Sequence, residues 1–129
     1  MNKQFVPLHV HSEFSALDGA SKVKDLTKKA ANSGMPAMAI TDHGVMNSMV
    51  SFYKAARSSG VKPIIGFEAY VSPPSRTRFD KIKLGDGEKN AHHMVLLAKN
   101  KAGAKNLNIL CSAGHLEGYY YKPRMDREL

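Results

Sequence analysis

Tryptophan is absent from these 129 residues, and cysteine occurs once, as Cys111. A lone cysteine excludes an internal disulfide framework and fits a reducing cytosol. It lies in an apolar helical stretch, where a packing role is expected. Long apolar runs are also missing: no segment approaches the ~20 residues needed to cross a membrane. Pro7 and His9 break the apolar run that begins at Phe5, so no signal peptide is read, and a soluble cytoplasmic protein is expected. Acidic residues are scarce, 11 against 19 basic, and the net charge of +8 points to a polyanionic partner such as nucleic acid. At 43% hydrophobic and 23% charged the chain is not disordered in composition. Its length allows one domain with one core.

What is present begins with a histidine pair, Leu8-His9-Val10-His11, followed by Asp18. In a strand, His9 and His11 share one face and Val10 takes the other. Alone, this pair reads better as two half-exposed strand histidines than as ligands. Two further groups at the edges of apolar segments shift the balance toward a metal site: Thr41-Asp42-His43-Gly44, and Glu68 within Ile64–Val71.

Residues 5–10 read as a strand. Ser21 is expected to cap a helix carrying Val23, Leu26 and Ala30, ending near Gly34. Ala37 to Thr41 reads as a buried strand. Asn47 is expected to cap a helix with Met49, Phe52, Tyr53 and Ala56, closed by Gly60. A third strand, Pro63 to Val71, ends at Pro73-Pro74. A basic loop to Asn90 follows, with Arg76, Arg78, Lys81, Lys83 and Lys89 and the turn residues Gly85 and Gly87. His93 to Ala98 reads as a fourth strand, and residues 102–113 as a helix. This alternation predicts an α/β fold with parallel strands. In such folds ligands bind where strands end, and His9, His11, Asp18, His43 and Glu68 all fall there. His93 does not, because it starts its strand.

The stretches LHVHSEFSALDG, AITDHG, IIGFEAYV and HHMVLLAKNKAGAKNLNIL, with the tail LEGYYYKPRMDREL, carry a likeness along the whole chain. They resemble the start of the PHP (polymerase and histidinol phosphatase) domain, in the form found in C-family bacterial replicative polymerases, the DNA polymerase III alpha subunits. The resemblance implies a distorted barrel of parallel strands and helices, with a cluster of up to three metal ions at the strand ends. His9, His11 and Glu68 would hold one metal. Glu68 would bridge to a second, also bound by His93, and Asp18 and His43 would hold a third. The family's later cysteine or histidine segment and Asp-x-His segment have no counterpart before Leu129. Residues 1–129 are therefore expected to be the N-terminal portion of such a domain, each metal lacking one ligand, with Cys111 no substitute.

Histidine and carboxylate ligands suit zinc, manganese or iron. The implied activity is phosphoester hydrolysis of a 3′–5′ exonuclease type, with DNA, the remaining polymerase domains and replisome subunits as partners. The chain alone should not polymerise DNA. A free-standing phosphoesterase acting on a small phosphate monoester, and a non-catalytic module that stabilises the polymerase, are the alternatives. Asp42 reads equally as a group that orients the site and as a cap of the turn after its strand. Arg76, Arg78 and Lys81 are candidate phosphate contacts, though a solvated loop is as good a reading. Tyr119 to Tyr121 could stack on bases or pack on a neighbouring surface. Glu13, His92 and His115 are expected at the surface.

Overall fold

A computed structural model of the chain describes residues 5–16, 18–81 and 91–129. The elements run α1 (Val23–Asn32), β1 (Ala37–Ile40), α2 (Met49–Ser58), β2 (Lys62–Val71), β3 (His92–Leu97), α3 (Lys101–Leu116), β4 (Tyr119–Tyr120) and β5 (Lys122–Met125). Strand β2 organises the sheet. It pairs in parallel with β1 along Lys62–Ile65 and with β5 at Tyr70–Val71. The described α/β architecture matches the expected class, but the strands are not all parallel. β3 lies antiparallel to β2 over Gly66–Val71, and β4 lies antiparallel to β5.

The antiparallel direction of β3 removes the misfit over His93. A strand running backward begins at the rim where β2 ends, so His93 pairs with Tyr70 and stands beside the other candidates. The connection of β2 to β3 includes the basic residues Lys83 and Lys89, which lie outside the described residues together with Gly85 and Gly87.

The segment expected as the first strand is extended but forms no regular ladder. Ala39 donates its N–H to the Pro7 carbonyl, and Thr41 to that of Val10, so the register slips by one residue between the two bonds. Pro7 has no N–H to return, and Val10 donates to the Thr41 hydroxyl instead of to a backbone carbonyl. The face alternation still holds. Val10 packs on the core while His9 and His11 point to Glu68.

Neither predicted helix cap holds. α1 starts after Lys22 without a side-chain cap, and α2 starts after Ser48, not Asn47. α3 is longer than expected and is capped by Asn100, whose side chain accepts the Gly103 N–H. The tail, given no strands by pattern, forms the β4–β5 hairpin around Tyr121, the one described non-glycine residue with positive φ (60°).

Two apolar clusters flank the sheet. Val23, Ala30, Met38, Ile40, Phe52, Ala56 and Val61 join α1, β1 and α2. Met46, Phe67, Ala69, Leu107 and Met125 join α3 to β2 and β5. Phe67 and Ala69 thus face α3, which leaves Glu68 and Tyr70 for the opposite side of β2.

Candidate metal centre

Six side chains predicted from sequence converge at this rim in three overlapping groups: His9, His11 and Glu68; His11, Asp18 and His43; His43, Glu68 and His93. Within each group the ligand atoms lie within 4.8 Å of one another. Glu68 is the hub. Its Oε2 is 2.5 Å from His9 Nε2 and 2.7 Å from His11 Nε2, and its Oε1 is 2.5 Å from His93 Nδ1. His11 turns its other nitrogen to Asp18 (Nδ1–Oδ2 3.0 Å), and His43 Nε2 meets the same carboxylate oxygen at 2.7 Å. The Glu68 side chain is only 4% exposed, whereas His9 and His93 are about half exposed, so the cluster has a dry floor and an open mouth.

Burial pushes the Glu68 carboxyl up, but hydrogen bonds from His9, His11 and His93, with the nearby His43, outweigh it and hold the pKa down at about 2. Glu68 is therefore a carboxylate throughout the physiological range.

The donor set fits a divalent metal. Nε2 of His9 and Nε2 of His11 face each other at 3.1 Å while both address Glu68 Oε2. As N–H groups both can donate to Glu68, and as lone pairs both can be aimed at a common cation beside it. A metal with ligands at ~2.0–2.1 Å keeps neighbouring donor atoms roughly 3 Å apart, close to this spacing. His43 Nδ1 is also buried without a hydrogen-bond partner, 3.6 Å from Glu68 Oε2.

The Asp42 carboxylate bonds to none of the six side chains, while the backbone carbonyl of Asp42 accepts the Glu68 N–H at 3.0 Å. Its buried carboxylate accepts from the Ser12 N–H (2.6 Å), the Ser12 hydroxyl (3.0 Å), the Ser15 hydroxyl (3.2 Å) and the Ser48 hydroxyl (2.5 Å). Ser15 Oγ in turn accepts the His43 N–H at 2.9 Å. Asp42 thus ties the loop after His11 and the start of α2 to the backbone of His43. Gly44 completes the clamp. Its N–H bonds the Glu68 carbonyl and its carbonyl accepts from His115 Nε2 at 2.9 Å. Its φ of +64° and the nearness of Pro123 and Tyr70, 2.8 and 3.0 Å from where a Cβ would stand, admit only glycine.

Sequence reasoning missed Tyr70, whose ring stacks near His43 (5.8 Å) and meets His93 edge-on (4.9 Å). Its spacing of two from Glu68 on one strand was the available signal. His115 was placed at the surface without its bond to Gly44. The Cys111 thiol also reaches the Gly44 carbonyl (3.5 Å), and burial raises its pKa. Of the candidate phosphate contacts, Arg78 is occupied by Glu117 and Asp126. Arg76 donates its N–H to the Pro73 carbonyl in the turn after β2, and Lys81 is exposed.

A family model of the PHP domain matches residues 7–129. The chain belongs to the PHP family. It is 51% identical over 98% of its length to DNA polymerase III subunit alpha of Deinococcus radiodurans and 50% identical over 98% to that of Thermus aquaticus. The Aquifex aeolicus subunit is 47% identical over the full chain. The chain spans about a tenth of the length of these curated relatives (10–11%). Among solved structures, a protein described as a metal-dependent phosphoesterase from Bifidobacterium adolescentis superposes with a TM-score of 0.57 at 19% identity, over 88% of this chain and 35% of that one. An amidohydrolase from Chromobacterium violaceum gives 0.54 at 23%, over 84% and 34%. At such identities these two likenesses show a shared fold.

Proposed function

We propose that residues 1–129 are the N-terminal portion of the PHP region of a bacterial replicative polymerase, the DNA polymerase III alpha subunit, and that the cluster around Glu68 serves 3′–5′ exonucleolytic hydrolysis of DNA. The observation that carries this reading is one buried, ionised carboxylate shared by three imidazoles from two separate segments, in a chain about half identical to polymerase subunits. Zinc, manganese or iron suits the donors. His9, His11 and Glu68 would hold one ion, Glu68 and His93 a second, and Asp18 and His43, with His11 beside them, a third. When bound, such ions polarise a phosphoryl oxygen and lower the pKa of water.

The chain's own residues prepare the rest. Glu68 stays anionic, the Asp42–Ser15 link fixes His43, and the exposed faces of His9 and His93 leave a mouth through which a DNA end can enter. Lys81 would meet phosphates at this end of the sheet. DNA, the rest of the polymerase chain and replisome subunits are the implied partners, in the cytoplasm. Nucleotide addition belongs to other domains of such a subunit.

The test is metal analysis and digestion of 3′-labelled single-stranded DNA by a longer polypeptide that carries the remaining PHP segments. Release of the 3′ label that needs added manganese or zinc, and stops with a chelator or with Glu68→Gln, is expected. A metal-free polypeptide with no action on DNA would leave only a scaffolding role. Cleavage of small phosphate monoesters alone would move the chain to the small-substrate branch of the family.

A further inference from the structure

At the opposite end of β2 from the metal centre lies a groove of about 700 Å³ between α2 and α3. Its floor is apolar: Met49, Val50 and Tyr53 of α2, and Pro63, Ile64 and Ile65 of β2. Val50 and Tyr53 are 57% and 52% exposed, three residues apart on one helical face. Four lysines stand around this floor, Lys54 on α2, Lys62 at the start of β2, and Lys99 and Lys101 where the chain enters α3. Among the described residues, no aspartate or glutamate lines the groove. The first turn of α3 also contains no acidic residue, so the positive end of a 16-residue helix adds to the same field.

We propose that this groove docks an acidic amphipathic peptide segment of a partner protein, with apolar anchors on the floor and carboxylates on the lysines. The volume suits a small number of bulky side chains. An apolar floor alone would accept any greasy segment. The cationic rim selects an acidic one, and its distribution over three elements favours an extended or helical peptide over a compact anion. None of the groove residues belongs to the metal centre, so docking there is separable from the chemistry of the rim.

The probe is a short fluorescein-labelled peptide with a Phe-Leu pair flanked by Asp and Glu, titrated with a longer polypeptide that carries the remaining PHP segments in a fluorescence anisotropy assay. Controls carry Lys in place of the acids, or Ala in place of the anchors. Saturable binding of the acidic amphipathic peptide alone is expected, weakening steeply with salt. Lys62→Glu with Lys101→Glu should weaken it by about tenfold or more, and Val50→Asp should weaken it comparably. All these sites are exposed, and unchanged circular dichroism and metal content would show that the variants remain folded. Equal binding of the Lys peptide, or indifference to the groove substitutions, overturns the proposal. So does binding to phosphatidylglycerol vesicles but not to the peptide, or self-association of the chain that Val50→Asp abolishes.

Discussion

At the residue scale the centre depends on one carboxylate. Glu68 is addressed by His9, His11 and His93, so its loss affects two of the three ligand groups at once, whereas loss of either exposed histidine affects one. Glu68→Gln should therefore lower divalent-metal affinity by on the order of a hundredfold, more than His9→Ala or His93→Ala alone. His9→Ala with His11→Ala should approach it. Equilibrium dialysis with manganese or zinc measures this, and unchanged metal content in the double variant would remove the pair from the site. Asp42 acts differently. It is a buried anion satisfied by serine hydroxyls and a backbone N–H, and each hydrogen bond to such a charge is worth about 1.5–3 kcal/mol. Asp42→Ala should destabilise the chain by about 3 kcal/mol, read as a lower urea midpoint, with Asp42→Asn milder. A variant as stable as the parent would contradict this account. The convergence of the six candidate residues was legible because imidazoles and acids at strand ends have few structural uses. Ser12, Ser15 and Ser48 were not, since isolated serines carry no periodic signal and meet only when the loop after His11 and the start of α2 fold onto Asp42.

At the element scale the helices and the inner strands could be read from spacing: Val23 and Ala30 in α1, Phe52 and Ala56 in α2, and the fully buried Ala37–Ile40 run. Strand direction could not. Apolar runs between helices look alike whether they pair forward or backward, and the reversal of β3 shows only in its pairing with β2. The tail strands escaped for a different reason: Tyr119–Tyr120 is too short for alternation, and Pro123 argues against a strand. Close approach of β2 and β3 rests on Gly66. A Cβ there would stand 2.4 Å from the Leu96 carbonyl oxygen and 2.7 Å from Leu97 Cδ2. Gly66→Ala should push β3 away, cost about 1–3 kcal/mol of stability, and carry His93 off Glu68. The expected signature is a lower melting temperature together with weaker metal binding than the stability loss alone explains. Unaltered binding at full occupancy would mean that β3 tolerates the added methyl group and that His93 keeps its place.

At the scale of the whole molecule, the C-terminal hairpin supports the rim from behind. Pro123 packs under Gly44, and β5 continues the parallel pairing of β2 beyond the reach of β1. The hairpin is clasped by Arg78, which donates to both Asp126 oxygens (2.9 and 3.1 Å) and to Glu117 (2.8 Å). The buried Arg124 donates back to the Arg78 carbonyl at 2.9 Å. This arrangement engages a predicted phosphate contact in holding the fold together. It also makes part of the stability depend on pH. Burial pushes the Asp126 carboxyl up, but bonds from the backbone of Arg78 and Glu128 and from the Arg78 guanidinium outweigh it, and its pKa falls below the ordinary 3.8. The folded state thus binds this proton less readily than the unfolded state. The stabilisation is complete above the ordinary value and is lost as pH falls from there through the folded value. Asp126→Asn should lower the urea midpoint at neutral pH, and the gap between variant and parent should close on acidification. Comparing the two proteins cancels the contribution of Glu68, which is common to both. A gap that stayed constant down to strongly acid pH would show that Asp126 holds the hairpin without gaining from its charge.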